Sequence, residues 1–125
     1  MPTSLKEMMA AANAAVPKIS PEDAKQVIAG GNALIVDLRD GTEVANSGKV
    51  VGAVHVSRGM LEFQADPDSP AHNKAFDKGK TVLLYCGSGG RAALAGKTLK
   101  DMGFADVRNF GGFKDWVDSG GAVET

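Results

Sequence analysis

Cysteine is almost missing from this chain: its 125 residues include one, Cys86. A single cysteine excludes an intrachain disulfide framework and fits a reducing compartment. Histidine is nearly as scarce. His55 and His72 stand apart in the sequence and, with one cysteine, form no cluster of metal-ligand spacing, so no metal is expected. Charge of one sign is not in excess either. Fourteen Lys and Arg face 15 Asp and Glu, a net charge of −1, which leaves no basic field for nucleic acid or an anionic membrane. No apolar run approaches the roughly 20 residues that cross a bilayer. Residues 1–16 are rich in alanine and methionine. Glu7 and Asn13 interrupt them, however, and Lys6 is the only basic residue before Lys18, so the stretch does not read as a secretory signal. A cytoplasmic protein with no nucleic-acid and no membrane partner is expected. Internal repeats and low-complexity tracts are absent.

What is present suits one domain with a real core: 43% hydrophobic and 23% charged residues. The expected division is an N-terminal helical arm over residues 1–17 and a single α/β domain over 18–125. Ser4 caps the arm, Glu7 completes a capping box, and Leu5, Met8, Met9 and Ala12 share a face. Lys18-Ile19-Ser20 fits a short edge strand. Ser20-Pro21-Glu22-Asp23 then starts a helix that Gly30-Gly31 ends. Ala33-Leu34-Ile35-Val36 is a continuous apolar run, as in a strand covered on both faces. A short helix follows at 41–45. Residues 48–56 read as a turn into a third strand, 57–65 as a short helix and 66–72 as loop. Thr81 to Tyr85 reads as a buried strand, and a helix runs from Arg91 to about Met102. Another strand lies within 104–110. Gly111-Gly112 reads as a tight turn, and a last helix at 113–119 turns Trp116 and Val117 inward. Strands alternating with helices imply a three-layer α/β sandwich with a mostly parallel sheet, whose site lies at the carboxyl ends of the strands.

Cys86 is placed there. It ends a strand, and Gly87-Ser88-Gly89-Gly90-Arg91 leads into a helix. A helix N-terminus offers unpaired N–H groups and partial positive charge, and glycines let successive amides curl toward one centre. Amides from Gly87 through Arg91 can cradle a thiolate or persulfide anion. Ser88 adds a hydroxyl donor, and Arg91 a cation that favours thiolate over thiol. A buried, inert cysteine is the bland alternative; the glycines at 87, 89 and 90 with Arg91 favour the reactive one. Competing motifs fail on context. Residues 87–92 match G-x-G-x-x-A, but only about 33 residues follow, and no acid ends the next strand. Gly96-Lys97-Thr98 resembles a P-loop ending, but Arg91 stands where its first glycine belongs. Neither His55, in an apolar strand, nor His72, in a solvent-facing loop, is placed as a base for Cys86.

Four segments in order resemble the rhodanese (sulfurtransferase) family. Ile35-Val36-Asp37-Leu38-Arg39 followed by Glu43 is similar to its D-x-R…E segment. Residues 48–56 resemble G-H-I-x-G-A-x-x-(I/V), with Lys49 replacing the usual histidine. Leu84 to Ala92 is similar to the active-site loop, and Gly111-Gly112-Phe113 with Trp116 to the C-terminal G-G-x-x-x-W signature. The resemblance runs from Ile19 to about Val123. It implies a rhodanese-like three-layer sandwich, a five-stranded mostly parallel sheet with helices on both faces. It further implies that Cys86 takes a sulfane sulfur from a donor such as thiosulfate or a persulfide and passes it to cyanide or a thiol. No cofactor is implied, because the cysteine carries the transferred group.

The candidate catalytic residue is therefore Cys86, and the candidate binding residues are Gly87, Ser88, Gly89, Gly90 and Arg91. Arg58, just after the third strand, is a further candidate to face the entrance and attract an anionic donor; a solvated arginine fits that position equally. Asp37, Arg39 and Glu43 read as a structural ion-pair and capping set. Two other activities remain open: a persulfide carrier serving a protein donor or acceptor, and a phosphatase or arsenate reductase of the same fold. Related phosphatases use a longer C-x5-R loop, whereas this chain has C-x4-R. No Lys or Arg separates Cys86 from Arg91, unlike some thiosulfate-using relatives.

Overall fold

The computed structural model describes residues 2–125. Two period-2 patterns build the sheet. In β1 (Ala33–Asp37), Leu34 and Val36 face one side and Ile35 the other. In β4 (Thr81–Cys86), Val82, Leu84 and Cys86 share the side of Leu34, while Leu83 and Tyr85 share that of Ile35. Alternation along an apolar strand forces both faces to be covered. On the first face lie α1 (Leu5–Ala15), α4 (Leu61–Ala65) and α5 (Gly90–Asp101), with Val16, Leu61 and Leu99 buried there. On the second lie α2 (Pro21–Ala29) and α6 (Phe113–Asp118), with Ala24 and Trp116. The sheet order is β3-β1-β4-β5, all parallel, with β3 at Val54–His55 and β5 at Val107–Gly112. This is the α/β architecture read from the sequence, with helices on both faces. No helix among the described residues is long and apolar enough to cross a membrane.

The sheet has four strands rather than five. Lys18 occupies the fifth position as a single parallel bridge to Asn109. Pro17 has no N–H to give a ladder, and Ser20 already caps α2, so pairing stops after one step. The stretch read as one third strand is two. β2 (Lys49–Val50) leaves the main sheet and pairs antiparallel with β6 (Val123–Glu124), where Lys49 and Glu124 form an ion pair. A short helical segment does follow β3, as one 3-10 turn (Arg58–Met60) running into α4. Trp116 is buried as expected, but Val117 is exposed.

The N-terminal segment packs differently from its amphipathic pattern. Ser4 and Glu7 form the expected capping box. Ala12 and Val16 face α5, while Leu5 and Met8 stay exposed, because the small alanines allow the closer helix approach. Gly96, the glycine of the P-loop-like triplet, is a notch for Val16. A methyl on Gly96 would lie 2.8 Å from Val16 Cγ2 and 2.9 Å from Cγ1. Gly96→Ala should therefore cost about 1–3 kcal/mol of stability through overpacking. In a urea-denaturation double-mutant cycle with Val16→Ala, a favourable coupling of at least about 0.5 kcal/mol is expected, because the smaller partner removes the clash.

Candidate functional site

The site forms where β4 ends and α5 begins. Cys86 is 1% exposed, and its Sγ accepts the Gly89 N–H at 3.0 Å. Gly89 has φ +99° and stands at the N-cap of α5. Only glycine adopts that left-handed turn without strain, and the turn is what swings its amide back onto the sulfur. Gly87, Ser88, Gly89, Gly90 and Arg91 are thus brought together around Cys86 in one compact loop.

Arg91 is not a free cation over the sulfur. Its Nη1 donates to Glu43 Oε1 at 2.7 Å and its Nη2 to Oε2 at 3.1 Å, a bidentate pair. The pair folds against Gly87: a methyl there would sit 3.0 Å from Nη2 and 3.3 Å from Glu43 Oε2. Hydrogen bonding from Arg91 holds the Glu43 carboxyl down to about 2 against the opposing effect of burial, with further help from the Asp40 N–H. Glu43 in turn holds the Arg91 guanidinium well above its usual value, and Cys86 adds to that shift. Glu43 reaches the loop because it is locked locally. It closes the capping box of α3 (Gly41–Ser47) with Asp40, which accepts its N–H at 3.0 Å. Its expected structural role is therefore joined by a direct contact with the loop.

Asp37 and Arg39 behave as the expected structural pair. Both are buried, and Arg39 Nη2 donates to Asp37 Oδ2 at 2.7 Å. Tyr85, the residue before Cys86, donates its hydroxyl to the same carboxylate oxygen at 2.6 Å. Burial and that acceptor push the Tyr85 hydroxyl up, so it stays a neutral donor. Arg39 also donates to Ser47 Oγ and to the Gly48 carbonyl, at 2.8 and 2.6 Å. One buried carboxylate thus ties β1, β4 and the end of α3 together beneath the loop.

Arg58 does not join this group. Its guanidinium donates to Glu62 Oε1 at 2.9 Å and to Thr98 Oγ1 at 3.2 Å. Thr98 lies seven residues beyond Arg91 on α5, about 10 Å along the helix at its usual rise. The entrance role expected for Arg58 gives way to this pairing. His55 also stays away from the sulfur, its Nε2 donating to the Arg39 carbonyl at 2.7 Å. His72 departs from a solvent-facing loop: its Nε2 is buried and has no partner among the described residues.

One supporting residue was not singled out in the sequence. Asn109, 3% exposed, donates to the Gly89 carbonyl at 3.1 Å and accepts the Gly111 N–H at 2.9 Å. It thereby fastens the loop to an irregularity in β5, where the register jumps from Leu84↔Asn109 to Cys86↔Gly112. Gly111-Gly112 is therefore a strand bulge leading straight into α6, not an isolated turn. A methyl on Gly112 would meet the Gly87 carbonyl oxygen at 2.5 Å, so this glycine lets β5 lie against the loop. The available signal was a lone amide in an apolar strand, two residues before a glycine pair.

A family model for the rhodanese-like domain matches residues 20–119. A Rhodopseudomonas palustris protein of unknown function, described as a possible tyrosine phosphatase, has a structure of TM-score 0.89 to this one. It is 37% identical, with 99% of each chain covered. The polysulfide-sulfur transferase homodimer of Wolinella succinogenes is 34% identical with a TM-score of 0.76, covering 95% of this chain and 85% of that one. YrkF of Bacillus subtilis, named as a sulfur carrier protein, is 30% identical over 104 residues, or 82% of this chain. This chain spans about half the length of YrkF, 51%.

Proposed function

Because the chain belongs to the rhodanese-like domain family, we propose that it moves sulfane sulfur through a persulfide on Cys86. The observation that carries this reading is the Gly89 amide turned onto the Cys86 sulfur within a six-residue loop. The Cys86 thiolate attacks the outer sulfur of a donor, and the donor's remaining fragment leaves with the bonding electron pair. With thiosulfate the leaving group is sulfite. An acceptor thiolate or cyanide then takes the outer sulfur and returns Cys86 as thiolate, a two-step displacement with ping-pong kinetics. Amide donors from Gly87 to Arg91 disperse the charge of each sulfur anion without adding side-chain bulk.

The Arg91–Glu43 pair supports sulfur transfer over phosphatase chemistry. A phosphatase needs its loop arginine to fork onto phosphate oxygens, but here both ends of the guanidinium are taken by Glu43. The pair also brings no net positive charge to the loop. A dianionic donor gains little from it, which favours an organic persulfide donor over thiosulfate. A persulfide-carrier role, with proteins as donor and acceptor, follows from the same chemistry when small donors load slowly.

The test is intact-mass spectrometry after incubation with thiosulfate, polysulfide and a low-molecular-weight persulfide in turn. One added sulfur at Cys86, removed by excess thiol, is expected, with the organic persulfide loading faster than thiosulfate. No mass gain from any of the three would sink the reading.

A further inference from the structure

Alongside the loop runs a groove of about 480 Å³. Gly89 and Gly90 of the loop and the β5 bulge at Gly111 line it from one direction. Met9 and Asn13 of α1, with Lys18, line it from another. All three residues of this second group lie outside residues 20–119, the part of the chain that matches the family model. The groove is therefore a feature that the N-terminal segment adds to the loop.

Three of its polar side chains have no protein partner among the described residues. Lys18, Asn13 and Asp115 are exposed and make no side-chain hydrogen bond or ion pair among the described residues. The two charges are nevertheless held on fixed backbone. Ile19 N–H donates to the Asn109 carbonyl and Asn109 N–H to the Pro17 carbonyl, both at 2.9 Å, which pins Lys18 beside β5. Asp115 sits in α6, its Oδ2 3.6 Å from where a methyl on Gly111 would lie. The route from Lys18 to the sulfur is short. Lys18 bridges Asn109, Asn109 bonds to Gly89, and Gly89 bonds to Cys86 Sγ. A cation and a carboxylate that share a groove without pairing are matched by a ligand carrying both opposite charges. Apolar surface from Met9, Ile19 and Phe110 suits a short carbon chain between them.

Resting on the sulfur-transfer reading above, we infer that this groove is the acceptor subsite and takes a small thiol bearing both a carboxylate and an ammonium group, an amino-acid or short-peptide thiol. Lys18 receives the carboxylate, Asp115 the ammonium and Asn13 an amide. The acceptor thiolate attacks the outer sulfur of the Cys86 persulfide. A new S–S bond forms on the acceptor, the Cys86 S–S bond breaks, and its electron pair returns to Cys86 as thiolate, so no outside oxidant or reductant is consumed. Cyanide, too small to span the groove, discharges the same persulfide without using it.

The difference between the two acceptors is the test. Protein loaded with one sulfur is discharged by glutathione or by cyanide, with intact mass as the readout. Lys18→Glu and Asp115→Lys should each slow discharge by subsaturating glutathione about fivefold, as expected for reversing an exposed charge that meets a ligand charge. Discharge by cyanide should stay unchanged. N-acetylcysteine, which lacks the ammonium, should keep its sensitivity to Lys18→Glu and lose that to Asp115→Lys. Unchanged glutathione discharge in both variants, or an equal slowing of both acceptors, overturns the subsite. Binding of S-methylglutathione to the unloaded protein needs no sulfur chemistry. Shifts of the Lys18, Gly89 and Asp115 amide resonances on its addition support the subsite, and their absence overturns it. Failure of every donor to load Cys86 would instead sink the sulfur-transfer reading.

Discussion

Cys86→Ser will fold and will gain no sulfur from any donor. The side chain sits at the end of β4, buried in the core shared with α5, and its sulfur accepts one amide hydrogen bond from Gly89. A serine oxygen occupies nearly the same space and accepts the same bond, so the loop has no reason to open. The chemistry has no such substitute. A neutral alcohol is a poor nucleophile toward sulfur and cannot carry a sulfane sulfur as a stable anion. Transfer to cyanide should fall by about a thousandfold or more, as when a covalent nucleophile is removed elsewhere. The measurement pairs cyanide turnover and intact mass with a urea-denaturation midpoint. Transfer near the original rate with an unchanged midpoint would show that the sulfur travels by another route.

Arg39→Met will produce the largest loss of stability, about 3–5 kcal/mol, because it strands the buried Asp37 carboxylate. Asp37 is fully buried and Arg39 3% exposed, so water cannot replace the lost guanidinium. The substitution also leaves Ser47 Oγ without its donor and removes one from the Gly48 carbonyl. It further removes a cation lying 4.1 Å from the centre of the Phe113 ring. The expected reading is a large fall in urea midpoint with an unchanged slope. Asp37→Leu combined with Arg39→Met should recover part of the loss, since a buried pair replaced whole leaves no unpaired charge. A loss below about 1 kcal/mol in the single variant would mean that the pair is hydrated.

Much of this was legible in the chain because it depends on local rules. The buried strand before Cys86 shows as a run with no polar interruption. The glycines after it and the arginine at the helix start mark a candidate anion loop by spacing alone. Asp37 and Arg39 stand two apart at a strand end, which suffices for a side-chain pair. The partners of these residues were less visible, because they arrive from elsewhere in the chain. Glu43 meets Arg91 across 48 residues, and Tyr85 meets Asp37 across the same separation. No period or spacing encodes such meetings. Arg58 shows the converse: a position beside the third strand suggested the entrance, yet Glu62 and Thr98 offered nearer partners.

Sequence alone determined the class of fold and the position of the single thiol at the end of β4, before a glycine-rich loop. Each follows from hydrophobic alternation, glycine spacing and the presence of one thiol. Tertiary structure decided what surrounds that thiol. It closed Arg91 onto Glu43, seated Gly112 against the loop through a bulge in β5, and used Gly96 as a notch for Val16. It also laid α1 and Lys18 along one flank of the loop. The physical reason is that a strand or helix declares itself through its own residues. A charge balance or a groove exists only once distant segments have packed, and its composition depends on which side chains that packing leaves without partners.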